Sequence, residues 1–143
     1  MKFRTLLTVV IIVAWSSLAF ADERPYTDGT VWGMSMIRTA DGMDDVYLKS
    51  LGTNLKPIYE EAMKQGLILS WKIIRANAGS PDDWNILILV EYENWAAFDG
   101  ISEKFEPISR KVMGKAEEDA LMQKRLDMRR FIADKTGQEL ILK

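Results

Sequence analysis

Chemistry in this chain has to come from a short list of side chains. Trp32, Met34, Trp71, Trp84 and Tyr92 could wall a site, with Arg75, Glu91 or Arg129 to fix a polar group. That is the composition of a small-molecule pocket, mostly apolar with a few convergent polar atoms, and it suits an apolar or aromatic ligand. Strand tryptophans serve more often as core or interface residues than as pocket walls. Alternation alone leaves open which strand face looks inward.

Two absences exclude more than any motif suggests: the 143 residues contain no cysteine and no histidine. Without cysteine there is no disulfide, thiolate nucleophile or iron–sulfur site. Without histidine there is no Ser-His-Asp triad, imidazole base or usual catalytic zinc. Acid–base work by Asp, Glu, Lys or Tyr, oxygen-ligand metals and plain binding remain. Asp41, Asp44 and Asp45 lack the spacing and distal glutamate of an EF-hand, and read as capping and solvated groups. Neither Ser35 nor Ser102 sits in a nucleophile elbow, and no phosphate-binding loop or dinucleotide fingerprint occurs. The expectation is no metal and no cofactor, and no residue is assigned a catalytic role.

The elements that would position these side chains follow from hydrophobic period. Thr30 to Arg38 alternates as a strand, and Ala40-Asp41-Gly42 breaks it. From Asp44 to Gln65 the period changes: Leu48, Leu51, Leu55, Ile58, Tyr59 and Ala62 form a helical stripe, with Asp44 as N-cap and Gly66 as C-terminal cap. Pro57 inside that stripe predicts a kink or a restart. Leu67 to Ala76 and Trp84 to Tyr92 read as strands joined by a loop over 77–83. Asn94 caps a helix through Trp95 and Ile101, and a second helical run spans Pro107 to Leu126, burying Ile108, Val112, Ala116, Ala120 and Leu121 or Met122. Met128 to Ala133 is a last strand. The run Asp134-Lys135-Thr136-Gly137 signals a hairpin, from which Glu139 to Leu142 pairs back as a short edge strand.

Upstream of all this, Lys2 and Arg4 precede an apolar run from Leu6 to Trp15 and then Ala19-Phe20-Ala21, the layout of a cleaved signal peptide. A spanning helix needs about 20 apolar residues, and the strongly apolar core here is about 10. The expected organisation is a signal peptide at 1–21, a polar segment at 22–29 and a single domain at 30–143, in the periplasm or secreted. Cleavage would remove two cations and take the net charge from −2 to −4. A mildly acidic domain is a poor nucleic-acid binder, and after cleavage no membrane attachment is expected. An exported location also argues against NAD or ATP as partners.

The order strand, helix, strand, strand, helix, strand is that of a ferredoxin-like α+β sandwich, an antiparallel sheet with helices on one face. Its other face is left for something else to cover, most simply a second copy. The run Tyr47-Leu48-Lys49, Leu51, Leu55, Pro57, Glu60 to Lys64 and Gly66, then Ser70-Trp71 and the Trp84 to Tyr92 strand leading into Trp95 to Phe98, resembles the dimeric α+β barrel superfamily, antibiotic-biosynthesis monooxygenases included. The resemblance implies a homodimer whose sheets press together into a barrel. Its haem enzymes rely on a proximal histidine that this chain lacks. Its cofactor-free oxygenases surround an aromatic substrate with Asn, Trp, Tyr or Arg, types that Trp32, Trp71, Trp84, Asn85 and Tyr92 also supply.

Three functional classes stand. The first is an exported homodimer that binds a small apolar or aromatic molecule or acts as an accessory protein. The second is a cofactor-independent monooxygenase-like enzyme, and the third a structural interaction module.

Overall fold

The structure, a computed structural model, describes residues 24–143, apart from the side chains of Glu117 and Glu118. The leader and its cleavage site therefore lie outside the described residues. Strand β1 (Tyr26–Thr39) is followed by helix α1 (Asp44–Ser50), a π-helical segment (Leu51–Leu55), α2 (Lys56–Lys64), β2 (Ser70–Arg75) and β3 (Ile86–Tyr92). A 3-10 turn (Trp95–Phe98), α3 (Ile101–Met113), α4 (Lys115–Met128) and β4 (Arg129–Leu142) complete the chain. Among the described residues the four strands make one antiparallel sheet in the order β2-β3-β1-β4. Chain order and sheet order together are the ferredoxin-like α+β fold expected from the sequence.

Strand period decides which side chains the helices cover. In β3, Ile86, Ile88, Val90 and Tyr92 are buried while Leu87, Leu89 and Glu91 between them are half-buried. The β1 partners of the buried set are Val31, Gly33, Ser35 and Ile37, and the core joins Val31, Ile37, Ile86 and Ile88 to Tyr47, Leu51, Ile58, Ala62 and Ile108 of the helices. Fully burying one such aliphatic side chain stabilises by about 1.5–3 kcal/mol. On the uncovered face stand Trp32, Met34 and Met36 opposite Glu91, Leu89 and Leu87, with Lys72 and Ile74 of β2 beyond.

Pro57 explains the irregular first helix. Its ring clashes with the carbonyl four residues back and it has no N–H to give. The chain widens just before it: the Lys56 N–H reaches the carbonyl of Leu51, and a new helix starts with Pro57 in its first turn. At the far end the Gly66 N–H bonds Met63 O at 3.0 Å and the Leu67 N–H bonds Ala62 O at 2.9 Å, a Schellman closure that needs Gly66 at φ 70°.

Four expectations change. The Asn94-capped run is not one helix: its 3-10 turn ends at Phe98, and Gly100 at φ 64° starts the separate α3. The run 134–137 is not a turn: β4 continues to Leu142, through a register shift between Asp28 and Val31, because β1 begins at Tyr26 and offers it a partner. The second helical run starts at Ile101 and is split by Gly114 at φ 71°, and Ala116, Ala120 and Met122 of α4 are exposed, not buried. Met43 rather than Asp44 occupies the N-cap of α1, which leaves the Asp44 carboxylate free for other partners.

Candidate functional site

The sheet separates the eight residues singled out from the sequence. Trp32, Met34 and Glu91 stand on the uncovered face, where Lys72 Nζ sits 4.9 Å from the Trp32 ring centre and Glu91 accepts hydrogen bonds from the hydroxyls of Thr30 and Ser70. Trp71, Tyr92 and Arg129 stand on the helix face. Trp84 lies just before β3, and Arg75 ends β2 in an ion pair with Asp44 at 3.1 Å.

Two places have the shape of a site. The first is an open polar cleft at the end of the sheet, about 560 Å³, lined by Thr39, Asp41, Asp44, Arg75 and Asn85 among others. Its polar groups satisfy one another. The Asn85 side chain accepts from Thr39 N at 3.0 Å and donates to Thr39 Oγ1 at 2.6 Å and Asp44 Oδ1 at 3.2 Å, while Thr39 Oγ1 also donates to Asp44. The Thr39 hydroxyl, with Arg75 and Asn85, holds the Asp44 carboxyl below its ordinary value against a smaller opposing effect of burial. This network ties β1, β2, β3 and α1 together, which is a structural task.

The second place lies on the helix side of the sheet, partly against its covered face and partly among the helices themselves. An inner hollow of about 190 Å³ is lined by Ser35, Tyr47, Leu55, Tyr59, Arg125, Arg129 and Phe131 among others. An outer hollow of about 350 Å³ shares Leu55, Tyr59 and Arg125 with it and adds Phe105, Met113 and Leu121. A third, of about 200 Å³, shares Tyr59 and Phe105 and reaches Tyr92. Tyr59 is thus the partition common to all three. Its ring is held edge-on by Trp71 at 5.5 Å and by Phe105 at 6.1 Å.

Burial pushes the Tyr59 phenol up to about 12, and it also raises those of Tyr47 and Tyr92. For Tyr47 the charges of Arg129 and Arg125 oppose that rise. All three are therefore neutral hydroxyl groups at physiological pH. Arg129 lies between aromatic rings, its guanidinium carbon 3.9 Å from the centre of Phe131 and 5.7 Å from that of Tyr47. Its Nε is buried with no hydrogen-bond partner among the described residues.

The site is apolar walls, neutral phenols and cationic edges. It has the means to bind and orient, and its lining residues include no histidine, cysteine or metal-ligating cluster. Of the eight residues expected from the sequence, Arg129 and Tyr92 line these hollows and Trp71 braces Tyr59. Tyr47, Tyr59, Arg125 and Phe131 were not among them. Arg125 and Arg129 are four apart across the end of α4, a spacing that places two cations on one side of a helix terminus and could have marked the pair.

The sequence matches no known family model and no curated protein. Solved structures do resemble it. HapK from Hahella chejuensis is 16% identical, over 76% of this chain and 91% of that one, with a TM-score of 0.45. A dimeric ferredoxin-like protein from an uncultured marine organism is 13% identical, over 82% of this chain and 98% of that one, with a TM-score of 0.52. At such identity a likeness speaks of fold alone, and what the second shares with this chain is the ferredoxin-like α+β fold.

Proposed function

We propose that this protein is an exported homodimer that binds a small apolar or aromatic molecule on the helix side of its sheet. The observation that carries the reading is the set of adjoining hollows around Tyr59, walled by Leu55, Phe105 and Leu121 and edged by a few polar groups. Ligand pockets have this mixture of apolar wall and sparse polar contacts. Leader composition supports export. Dimerisation is supported by the uncovered sheet face, where Trp32, Met34, Met36, Leu87 and Leu89 are only half-buried in a single chain, and by the dimeric state of the ferredoxin-like neighbour.

The test is titration with a neutral aromatic probe, 2-naphthamide, followed by tryptophan fluorescence. Saturable binding is expected, and Leu55→Trp, which fills the space shared by the inner and outer hollows, should abolish it while far-ultraviolet dichroism stays unchanged. Binding that never saturates, or that survives Leu55→Trp, would refute this location. Light scattering on the same sample is expected to give twice the chain mass.

A further inference from the structure

Resting on that binding reading, we infer that the inner hollow selects ligands carrying a planar anion, a carboxylate or a group shaped like one, and that Arg129 is the residue that reads it. Two aromatic rings hold the guanidinium. Phe131 and Tyr47 lie near it at 3.9 and 5.7 Å, distances at which aromatic rings engage a cation through their faces. Ring contacts of this kind orient the plane but accept none of its N–H groups, which point outward within the plane. Along that plane Nε is closed off and lacks a hydrogen-bond partner among the described residues, which leaves the two terminal nitrogens to meet a ligand.

The residues lining the inner hollow include two arginines, Arg125 and Arg129, and no carboxylate. Glu106, on the outer hollow, pairs with Arg110; Asp134, exposed on β4 opposite the lining residue Ser35, is near enough to act on Tyr59; and Asp127 shares a separate hollow with Arg129. The two terminal nitrogens form the end-on fork that matches the two oxygens of a carboxylate. The aromatic part of such a ligand would lie against Leu55 and Tyr59, with the neutral Tyr47 and Tyr59 hydroxyls present as further donors.

The test compares 2-naphthoate with its neutral isostere 2-naphthamide by isothermal titration of the full-length mature chain. Naphthoate should bind at least about tenfold more tightly, the scale of one charge-assisted contact. The preference should shrink toward one in Arg129→Gln, and Arg129→Lys, which keeps the charge but loses the fork, should restore only part of it. Equal affinity of the wild-type protein for the two probes, or a preference that survives Arg129→Gln, would overturn the inference and leave the binding reading intact. Failure of both probes to bind the wild type would overturn the binding reading and this inference with it. Should Arg129→Gln fail to fold, the wild-type ratio and its decline with added salt still decide the matter.

Discussion

Arg129 stacks on Phe131, two residues further along β4, with the guanidinium carbon 3.9 Å from the ring centre. Phe131 is itself 53% exposed, so its ring works less as core than as a platform that holds the arginine over the inner hollow. Phe131→Leu should therefore cost little stability, about 0.5–1 kcal/mol by urea denaturation. Its larger effect should be on 2-naphthoate binding, because an unsupported guanidinium loses its fixed plane. A loss of stability above about 3 kcal/mol would show instead that Phe131 is a core residue.

Tyr59 is the second residue on which the site turns. It touches all three hollows and makes edge contacts with both Trp71 and Phe105. Tyr59→Ala should merge the hollows and destabilise by about 3–5 kcal/mol, whereas Tyr59→Phe keeps the rings together and should cost about 1 kcal/mol or less. Denaturant unfolding of the two variants side by side separates the packing role from that of the hydroxyl.

At the other end of the sheet, Asp44 answers to pH. Its carboxyl titrates below the ordinary 3.8, first through the Thr39 hydroxyl and then through Arg75 and Asn85. A depressed folded value means the contribution is complete above the unfolded value and disappears as pH falls through the folded one. Stability should thus decline below about pH 4, and Asp44→Asn should show a smaller loss between about pH 5 and about pH 3 than the wild type. Asn85→Ala should cost about 1–3 kcal/mol at neutral pH, since it leaves the buried Thr39 N–H without its acceptor.

How much of this was legible in the sequence differs by element. The β1 and β3 strands are legible from their apolar alternation, but not the face the helices cover: in β1 the covered side holds half-buried Gly33 and Ser35, while the heavier Trp32, Met34 and Met36 stand on the uncovered one. Gly137 misleads: beside Asp134, Lys135 and Thr136 it has the composition of a turn, but it lies opposite Trp32 in a stretch of regular pairing between two register shifts. An added Cβ there would come within 3.2 Å of the end of Met34, so a small residue suits the packing on that face. Turn chemistry is local, and the length of β1 that overrides it is not. The site was half visible. Arg129 is recognisable as a polar anchor, but Tyr59 reads only as part of a helical stripe, because which stripe positions leave a hollow depends on helix spacing that no period encodes.

The three buried phenols predict the alkaline limit. Tyr59 is raised to about 12, and Tyr47 and Tyr92 are raised as well, so the folded chain holds these protons more firmly than the unfolded chain does. Groups raised in this way contribute in full below the unfolded value of about 10 and lose that contribution as pH climbs through the folded one. Urea midpoints measured at about pH 8 and about pH 11 should fall steeply for the wild type and less for Tyr59→Phe. Equal slopes would mean that the Tyr59 hydroxyl already reaches solvent.

The uncovered sheet face makes the strongest demand on a partner. Leu89 sits at its centre, paired across the sheet with Met34 of β1 on one side and Lys72 of β2 on the other. The neighbouring Leu87 and Met36 are half-buried and Ile74 is 42% exposed. A carboxylate placed there meets water at no great cost in a lone chain, but between two apposed sheets it would be buried facing its own symmetry copy, where like charges repel and desolvation is severe. Leu89→Asp should therefore leave secondary structure intact and halve the mass seen by light scattering. Lys72 adds a control, since Lys72→Ala removes a charge without adding a buried one and should keep the dimer. An unchanged mass for Leu89→Asp would mean that copies of this chain associate by some other surface, and the barrel arrangement would fail with it.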